Sequence, residues 1–375
     1  MKVAIICCWS NMRIYPIYSA HLRTSLDKAL GKAVNVVTTN CMCYDKNDPV
    51  DRNVHFVGLP YVTIRPSKTR LKFLARLQFH NILEPVRGWL FSRTTTDFDI
   101  AHFQQSSYAF GYPSLKAFLS SPSRSKKVVT IHKFDPVQKE KPGLNAIYNK
   151  ADAVITFSEF MRSALIDSGV QPSKVFVVLH GVPLSPQRGT KGKEAIMFCG
   201  SPIPGVKGFE HVVVALRLLK EQNITLKTKI HGFYMPNEIA YAKKLAENNG
   251  VEELFEWMNV GSELELISHY QKSILCLIPY TGYAGYFPAS YALAAGTPIV
   301  ATDVLGHSEY VGDAGLMVEP GSPIQLADGI KMILHDDRLR RRLGTIGRKK
   351  AEENQSWEMV ADNTIEIYKR ALEGN

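Results

Sequence analysis

One pattern constrains the fold of this 375-residue chain more than any other. A short apolar run is followed by a turn, then by a helical stretch, and the unit recurs. In the first half the runs are Val3–Cys8, Val34–Thr38, Val54–Val57, Ile100–Phe103, Val128–Ile131, Ala153–Phe157 and Val175–Leu179. Several are apolar on both faces, as strands of a parallel sheet covered by helices must be. Between them lie helical stretches such as Tyr18–Leu30 and Ser158–Ser168. In the latter, Ser158 suits an N-cap and Gly169 a C-cap.

Residues His180 to Lys193 (HGVPLSPQRGTKGK) interrupt the rhythm with Gly, Pro and Lys, the composition of a linker. The rhythm then restarts. Runs at Ala195–Cys199, Leu226–Ile230, Leu254–Trp257, Ile274–Ile278, Pro298–Ala301 and Leu316–Val318 alternate with helical stretches Phe209–Glu221, Asn237–Asn249, Ser290–Ala295 and Ile324–Leu334. A last amphipathic helix spans Ser356–Leu372. The expected class is α/β, with two doubly wound Rossmann-like domains, residues 1–184 and 185–375. The terminal helix is a candidate to pack back on the first domain. Ligands of such sheets sit at the carboxyl ends of the strands, so a central cleft is the expected site.

Charge divides along the same boundary. Residues 1–184 carry 24 Lys/Arg and 12 Asp/Glu, a net +12, whereas residues 185–375 net −2. A basic half suits an anionic partner, and also suits a merely solvated surface. The six cysteines show no CxxC and no zinc spacing. Cys7, Cys8, Cys199 and Cys276 sit in apolar runs and read as buried thiols, and Cys41-x-Cys43 is an isolated pair. Reduced thiols point to the cytoplasm. The N-terminal apolar run is too short to span a bilayer. The charge-free stretch Ser273–Thr302 is broken by three prolines and three glycines, which excludes a membrane span there.

Two segments could carry chemistry. Gly200–Gly208 (GSPIPGVKG) ends a strand and opens a helix. Such a turn offers N–H groups and a positive dipole end to phosphate, and Lys207 adds a charge there. The same residues also suit a plain strand-to-helix turn. Tyr283–Asp303 (YAGYFPASYALAAGTPIVATD) is rich in small residues, which permit close approach to a ligand or tight packing alone.

These residues resemble GT-B fold glycosyltransferases of the large retaining family 4 type (glycosyltransferase group 1). Ala151–Val182 resembles that family's crossover segment, with His180 where Asn is usual. Ala294–Pro320 (AAGTPIVATDVLGHSEYVGDAGLMVEP) is similar to its donor-domain signature, and the tail from His335 to its C-terminal helices. The resemblance implies sugar transfer from a nucleotide-diphosphate sugar to an acceptor hydroxyl. The anomeric configuration would be retained, with no catalytic metal and no cofactor. It puts the donor on the second domain and a glycan or lipid-linked acceptor on the basic first domain.

Carried over position by position, the resemblance implies a donor site of Gly200, Ser201, Lys207, Tyr283, Ala284, Gly285, Tyr286, Phe287 and Tyr291. Lys207 keeps a phosphate-binding role, while the family's Arg is replaced by Ser201. Both carboxylates of the Glu-x7-Glu motif are tyrosines here, Tyr283 and Tyr291. The glycine pair of the first strand-to-helix loop, near Ile14–Pro16, is missing. A carboxylate accepts two sugar hydroxyls with charge assistance, whereas a phenol offers one weaker contact. His132 matches a family position near the reacting centre. Lys207 and His132 are therefore the candidate catalytic pair. Arg13 in the first loop could supply a replacement cation. His102, at the end of its strand, could face the acceptor or pack in the core. Asp97-x-Asp99 precedes a strand, and a structural role there is favoured over a metal.

Lys68–Arg93 interleaves Lys68, Arg70, Lys72, Arg76, Arg87 and Arg93 with Leu71, Leu74, Leu77, Ile82 and Trp89. It resembles an interfacial basic helix, and a core-packed helix has the same pattern. An anionic membrane surface is thus a candidate partner, with peripheral attachment. Nucleic acid is not, for lack of any supporting motif. Against the active enzyme stands one alternative, a glycosyltransferase-like binding or scaffold protein that has lost catalysis.

Overall fold

A computed structural model describes residues 1–7, 14–38, 54–56, 85–105, 108–132, 142–186, 195–232, 236–258, 260, 262–282 and 285–374. Arg13, Tyr283, Ala284, Cys8, Cys41, Cys43, residues 68–84 of the basic segment and residues 187–193 of the linker lie outside them. The chain divides into two compact units. One is Met1–Leu179 with Trp357–Asn375; the other is His180–Ser356. The sequence boundary at 184/185 thus falls five residues later than the structural one.

The first unit holds a parallel sheet. Its strands are β1 (Val3–Cys7), β2 (Val34–Thr38), β3 (Val54–Phe56), β4 (Ile100–Gln105), β5 (Lys126–Ile131), β6 (Ala153–Thr156) and β7 (Val175–Val177). Their order is β3-β2-β1-β4-β5-β6-β7, so the chain switches direction between β1 and β4. All described residues of β6, and all but the first of β5, are buried, which accounts for their apolar composition. Phe103 packs its ring against Phe91 and Phe118 from the flanking helices. Ser158 caps helix Glu159–Asp167, its Oγ accepting from Met161 N at 3.1 Å. Such a cap is worth ~1 kcal/mol. Ser168 is the C-cap residue, and Gly169 just beyond takes the left-handed conformation, φ +94°. The last helix, Trp357–Glu373, covers β5 and β6 beside helix Ile14–Leu30, and Trp357 packs edge-on against Tyr18.

The second unit repeats the plan with β8 (Ala195–Cys199), β9 (Lys227–His231), β10 (Phe255–Trp257), β11 (Ser273–Ile278), β12 (Ile299–Thr302) and β13 (Gly315–Val318). The order is β10-β9-β8-β11-β12-β13, with the switch between β8 and β11. β8, β11 and β12 are buried throughout, over a core that includes Phe198, Phe209, Leu216, Leu277 and Ile330. Helix Phe287–Ala295 starts three residues before the expected Ser290. Pro288 sits in its first turn, where a missing N–H costs nothing. Among the described residues no helix is long and apolar enough to cross a membrane.

Candidate functional site

In the second unit, three loops leave the carboxyl ends of adjacent strands β8, β11 and β12, at and beside the switch point. Sheets of this class bind ligands there. The loop after β8 runs from Gly200 to Gly208 into helix Phe209–Lys220. Gly208 has φ +68°, and a Cβ at that position would lie 1.9 Å from Pro279 O. Only glycine permits that turn against the β11 loop. The two loops are also fastened by hydrogen bonds. Thr281 N donates to Val206 O at 3.2 Å, and Thr281 Oγ1 to Gly205 O at 2.9 Å.

The Lys207 stem lies on Gly200, where an added Cβ would meet it at 3.3 Å. Its ammonium sits 3.8 Å from the centre of the Tyr280 ring. That ring is buried, and its hydroxyl donates to Cys199 O at 2.5 Å. A cation is therefore held at a fixed place at the end of β8. Ser201 is engaged within the second unit. Its Oγ donates to Glu238 Oε2 at 2.8 Å, which puts a carboxylate beside the loop.

Downstream of Gly285, Tyr286 stacks on Tyr310 with ring centres 4.4 Å apart and planes 5° from parallel. Its hydroxyl donates to Leu305 O at 2.6 Å. Phe287 packs against Tyr291 at 4.2 Å and edge-on to His180 at 5.8 Å. Tyr291 is buried, and its hydroxyl donates to the Glu263 carboxylate. A carboxylate from the first turn of helix Glu263–Lys272 is thus held beside Tyr291.

His307 was not singled out in the sequence. It opens helix His307–Val311 after β12, is fully buried, and lies edge-on to the rings of Tyr280 and Tyr286. Neither ring nitrogen makes a well-formed hydrogen bond among the described residues, and backbone groups of Thr302 and Gly285 lie beside the ring. Burial, then the Lys207 charge, push its pKa down to about 4. A buried polar side chain with only weak backbone partners beside a fixed lysine is a costly arrangement, of the kind found where a ligand binds. Only its burial could have exposed it, since the sequence marks it as one residue in a helix start.

In the first unit, alternation along β4 puts His102 and Gln104 on one face. Register pairs Gln104 with Thr130 of β5, and His132 follows on the same face. His132 is 9% exposed, held edge-on by Tyr18 at 4.7 Å and Phe157 at 5.1 Å. His102 is fully buried with both ring nitrogens engaged, so it faces the core and not an acceptor. Burial lowers its pKa to about 3, and the ring stays neutral. Of the basic segment, Arg87 is buried in the helix over residues 85–94 and turns away from solvent. Trp89 (48%) and Val86 (41%) are exposed. Asp99 accepts from Lys2 N at 2.7 Å, the structural role expected of it. Cys199 and Cys276 are buried free thiols.

Residues 184–350 match the family described as glycosyl transferases group 1, and residues 18–186 match Glycosyltransferase Family 4. The chain is 31% identical over 218 residues to the MMP alpha-(1->4)-mannosyltransferase of Mycolicibacterium hassiacum, covering 56% of this chain and 51% of that protein. It is 26% identical over 262 residues to the D-inositol 3-phosphate glycosyltransferase of Kineococcus radiotolerans, covering 62% and 60%. The aligned stretches thus span between half and three-fifths of these relatives. Among solved structures, Anabaena HepE in complex with UDP-glucose superposes with TM-score 0.73 at 15% identity, covering 98% of this chain and 99% of that one. A glycosyltransferase from Rickettsia africae gives 0.73 at 18%, with both chains covered in full. The fold is GT-B.

Proposed function

We propose that this chain, which belongs to the group 1 and family 4 glycosyltransferases over residues 18–350, moves a sugar from a nucleotide-diphosphate donor to an acceptor hydroxyl. The observation that carries this reading is Lys207, fixed over Tyr280 at the end of β8. When the bond between the anomeric carbon and the donor phosphate breaks, negative charge grows on the departing diphosphate. A preorganised cation aimed at that charge stabilises the transition state more than the ground state. In this reading Lys207 does so in place of a metal ion. His307, neutral at physiological pH, offers one donor and one acceptor nitrogen beside it. Tyr286, Phe287 and Tyr291 with Glu263 shape the donor pocket. On the first unit His132 acts at the sugar or acceptor end, with Arg13 as a further candidate. The configuration at the anomeric carbon is retained.

UDP-glucose, named with the structure of HepE, makes UDP-sugars the first donors to test. The acceptor is proposed to be a glycan or lipid-linked hydroxyl. A second reading has its own support. Tyr291 is buried against Phe287, and Ser201 is tied to a carboxylate instead of a phosphate-binding cation. This favours a protein that binds a nucleotide sugar without turning it over.

The test screens UDP-, GDP-, ADP- and dTDP-sugars by thermal shift, then measures nucleoside diphosphate release with acceptors. A ligand at a hundred times its Kd stabilises by ~2.7 kcal/mol, a readily measured shift. Binding with turnover supports transfer. Binding without turnover supports the second reading. Absence of binding to every donor defeats both.

A further inference from the structure

Five buried side chains of the first unit form one hydrogen-bonded network. His102 Nδ1 lies 2.6 Å from Tyr368 Oη, on the C-terminal helix. His102 Nε2 lies 2.7 Å from Thr130 Oγ1 and 3.1 Å from Gln104 Nε2. Gln104 Oε1 lies 2.7 Å from His132 Nε2. Tyr368, His102 and Gln104 are fully buried, and Thr130 nearly so.

The chemistry of these groups fixes the direction of the chain. Tyrosine and threonine hydroxyls can donate or accept, but the two ends of an amide cannot exchange roles. The Gln104 NH2 faces His102, so His102 Nε2 is a bare acceptor and its proton sits on Nδ1, donated to Tyr368 Oη. The Gln104 carbonyl faces His132, so His132 Nε2 carries a proton. A neutral imidazole has one donor and one acceptor nitrogen, which leaves Nδ1 as the basic nitrogen of His132. Burial that keeps His102 neutral removes the one state in which both of its nitrogens would donate.

We infer that Gln104 is a positioning residue that fixes the tautomer of His132, and that Tyr368 holds its polarity from the C-terminal helix. The inference rests on the reading of His132 as a residue of the sugar-transfer reaction. It makes the last helix part of the apparatus that sets His132, beyond its packing on β5 and β6.

The test is nitrogen-detected NMR of the ring nitrogens in full-length protein labelled at histidine, with the His132 signals assigned through His132→Gln. The wild type should show His132 protonated at Nε2. In Tyr368→Phe the acceptor for His102 Nδ1–H is gone. A buried N–H without an acceptor is disfavoured more than a bare nitrogen. His102 should therefore move its proton to Nε2, the Gln104 amide should turn over, and His132 should shift to the Nδ1–H form. Gln104→Met should leave a mixture of the two forms. Tyr368→Phe is the milder change and carries the test if Gln104→Met does not fold. A wild-type His132 protonated at Nδ1, or a tautomer unmoved by Tyr368→Phe, overturns the inference.

Once a donor is known, Tyr368→Phe should lower kcat about tenfold with donor KM unchanged. An altered tautomer with kcat intact overturns the positioning role. Inactivity of the wild type toward every donor, with the tautomers as stated, refutes the sugar-transfer reading and leaves the relay standing.

Discussion

The Lys207 ammonium sits 3.8 Å from the centre of the Tyr280 ring, and the Tyr280 hydroxyl is bonded to Cys199 O at the end of β8. One aromatic side chain therefore ties the cation to the strand that delivers it. Removing the cation and removing the tie should have separable effects. Lys207→Ala should lower kcat by about 100-fold or more, the scale of a lost transition-state contact, with little change in Tm. Tyr280→Phe keeps the ring and loses the hydrogen bond. It should cost about 1 kcal/mol of stability and less than tenfold in kcat. Steady-state kinetics with urea unfolding checks both, and equal kinetic losses in the two variants would contradict this division.

Gly208 gives a purely structural prediction at the same loop. Its φ of +68° and the 1.9 Å approach of Pro279 O to an added Cβ leave no room for alanine. Left-handed backbone alone costs a side-chain-bearing residue about 1–2 kcal/mol, and the contact with rigid backbone adds to it. Gly208→Ala should therefore destabilise by more than ~2 kcal/mol and weaken donor binding, because Lys207 is the preceding residue. Gly205→Ala shares the positive φ but has open space around it, so it should cost about 1–2 kcal/mol at most. Comparing the two by denaturant unfolding separates crowding from backbone strain.

The helix over residues 85–94 carries exposed Trp89 and Val86, with the Arg93 guanidinium 5.5 Å from the Trp89 ring. An exposed indole with an adjacent cation is the composition of an interfacial anchor. Vesicles containing anionic lipid should bind the protein at low salt and release it at high salt. Trp89→Ser should weaken binding several-fold without altering donor affinity. Flotation assays that find no binding at either salt concentration remove the membrane reading.

What could be read from residues alone follows the range of the interactions. The strand runs match the structure to within two residues at each end, because apolar periodicity is local. β2 and β8 coincide fully with their runs. The strand-to-helix turn that carries Lys207 was legible because a glycine turn before a helix is a local signal. The Tyr291–Glu263 pair was not, since its members lie 28 residues apart on different helices. Nor was the His102–Tyr368 bond, which joins residues 266 positions apart. The sequence left His102 open to a ligand-facing or a core-packed reading, and the return of the last helix to the first unit shows it enclosed. At Ser201 the carboxylate beside the hydroxyl comes from a separate helix, which no local pattern announces.

The pH dependence that His307 imposes on stability has a sign fixed by linkage. Its pKa falls from an ordinary value near 6.5 to about 4 on folding, through burial and the Lys207 charge. Above pH 6.5 both folded and unfolded chains hold it neutral, and it imposes no pH dependence. Between about 6.5 and 4 the unfolded chain takes up a proton that the folded chain refuses. Stability present above pH 6.5 is therefore lost as the pH falls toward 4, by about 1.4 kcal/mol per pH unit from this group alone. His307→Phe removes that slope. It also removes two buried nitrogens that make no well-formed hydrogen bond among the described residues, in a site already lined by Tyr280 and Tyr286. Replacing weakly paired polar atoms with an apolar ring of similar shape is neutral or stabilising. The variant should thus unfold at the same or higher urea concentration at pH 7, and at clearly higher concentration at pH 5. If the two nitrogens serve the donor, kcat/KM should fall at least tenfold in the same variant. A stable variant with full activity would mean that the histidine serves neither fold nor donor, and a destabilised one that its nitrogens bond within the protein after all.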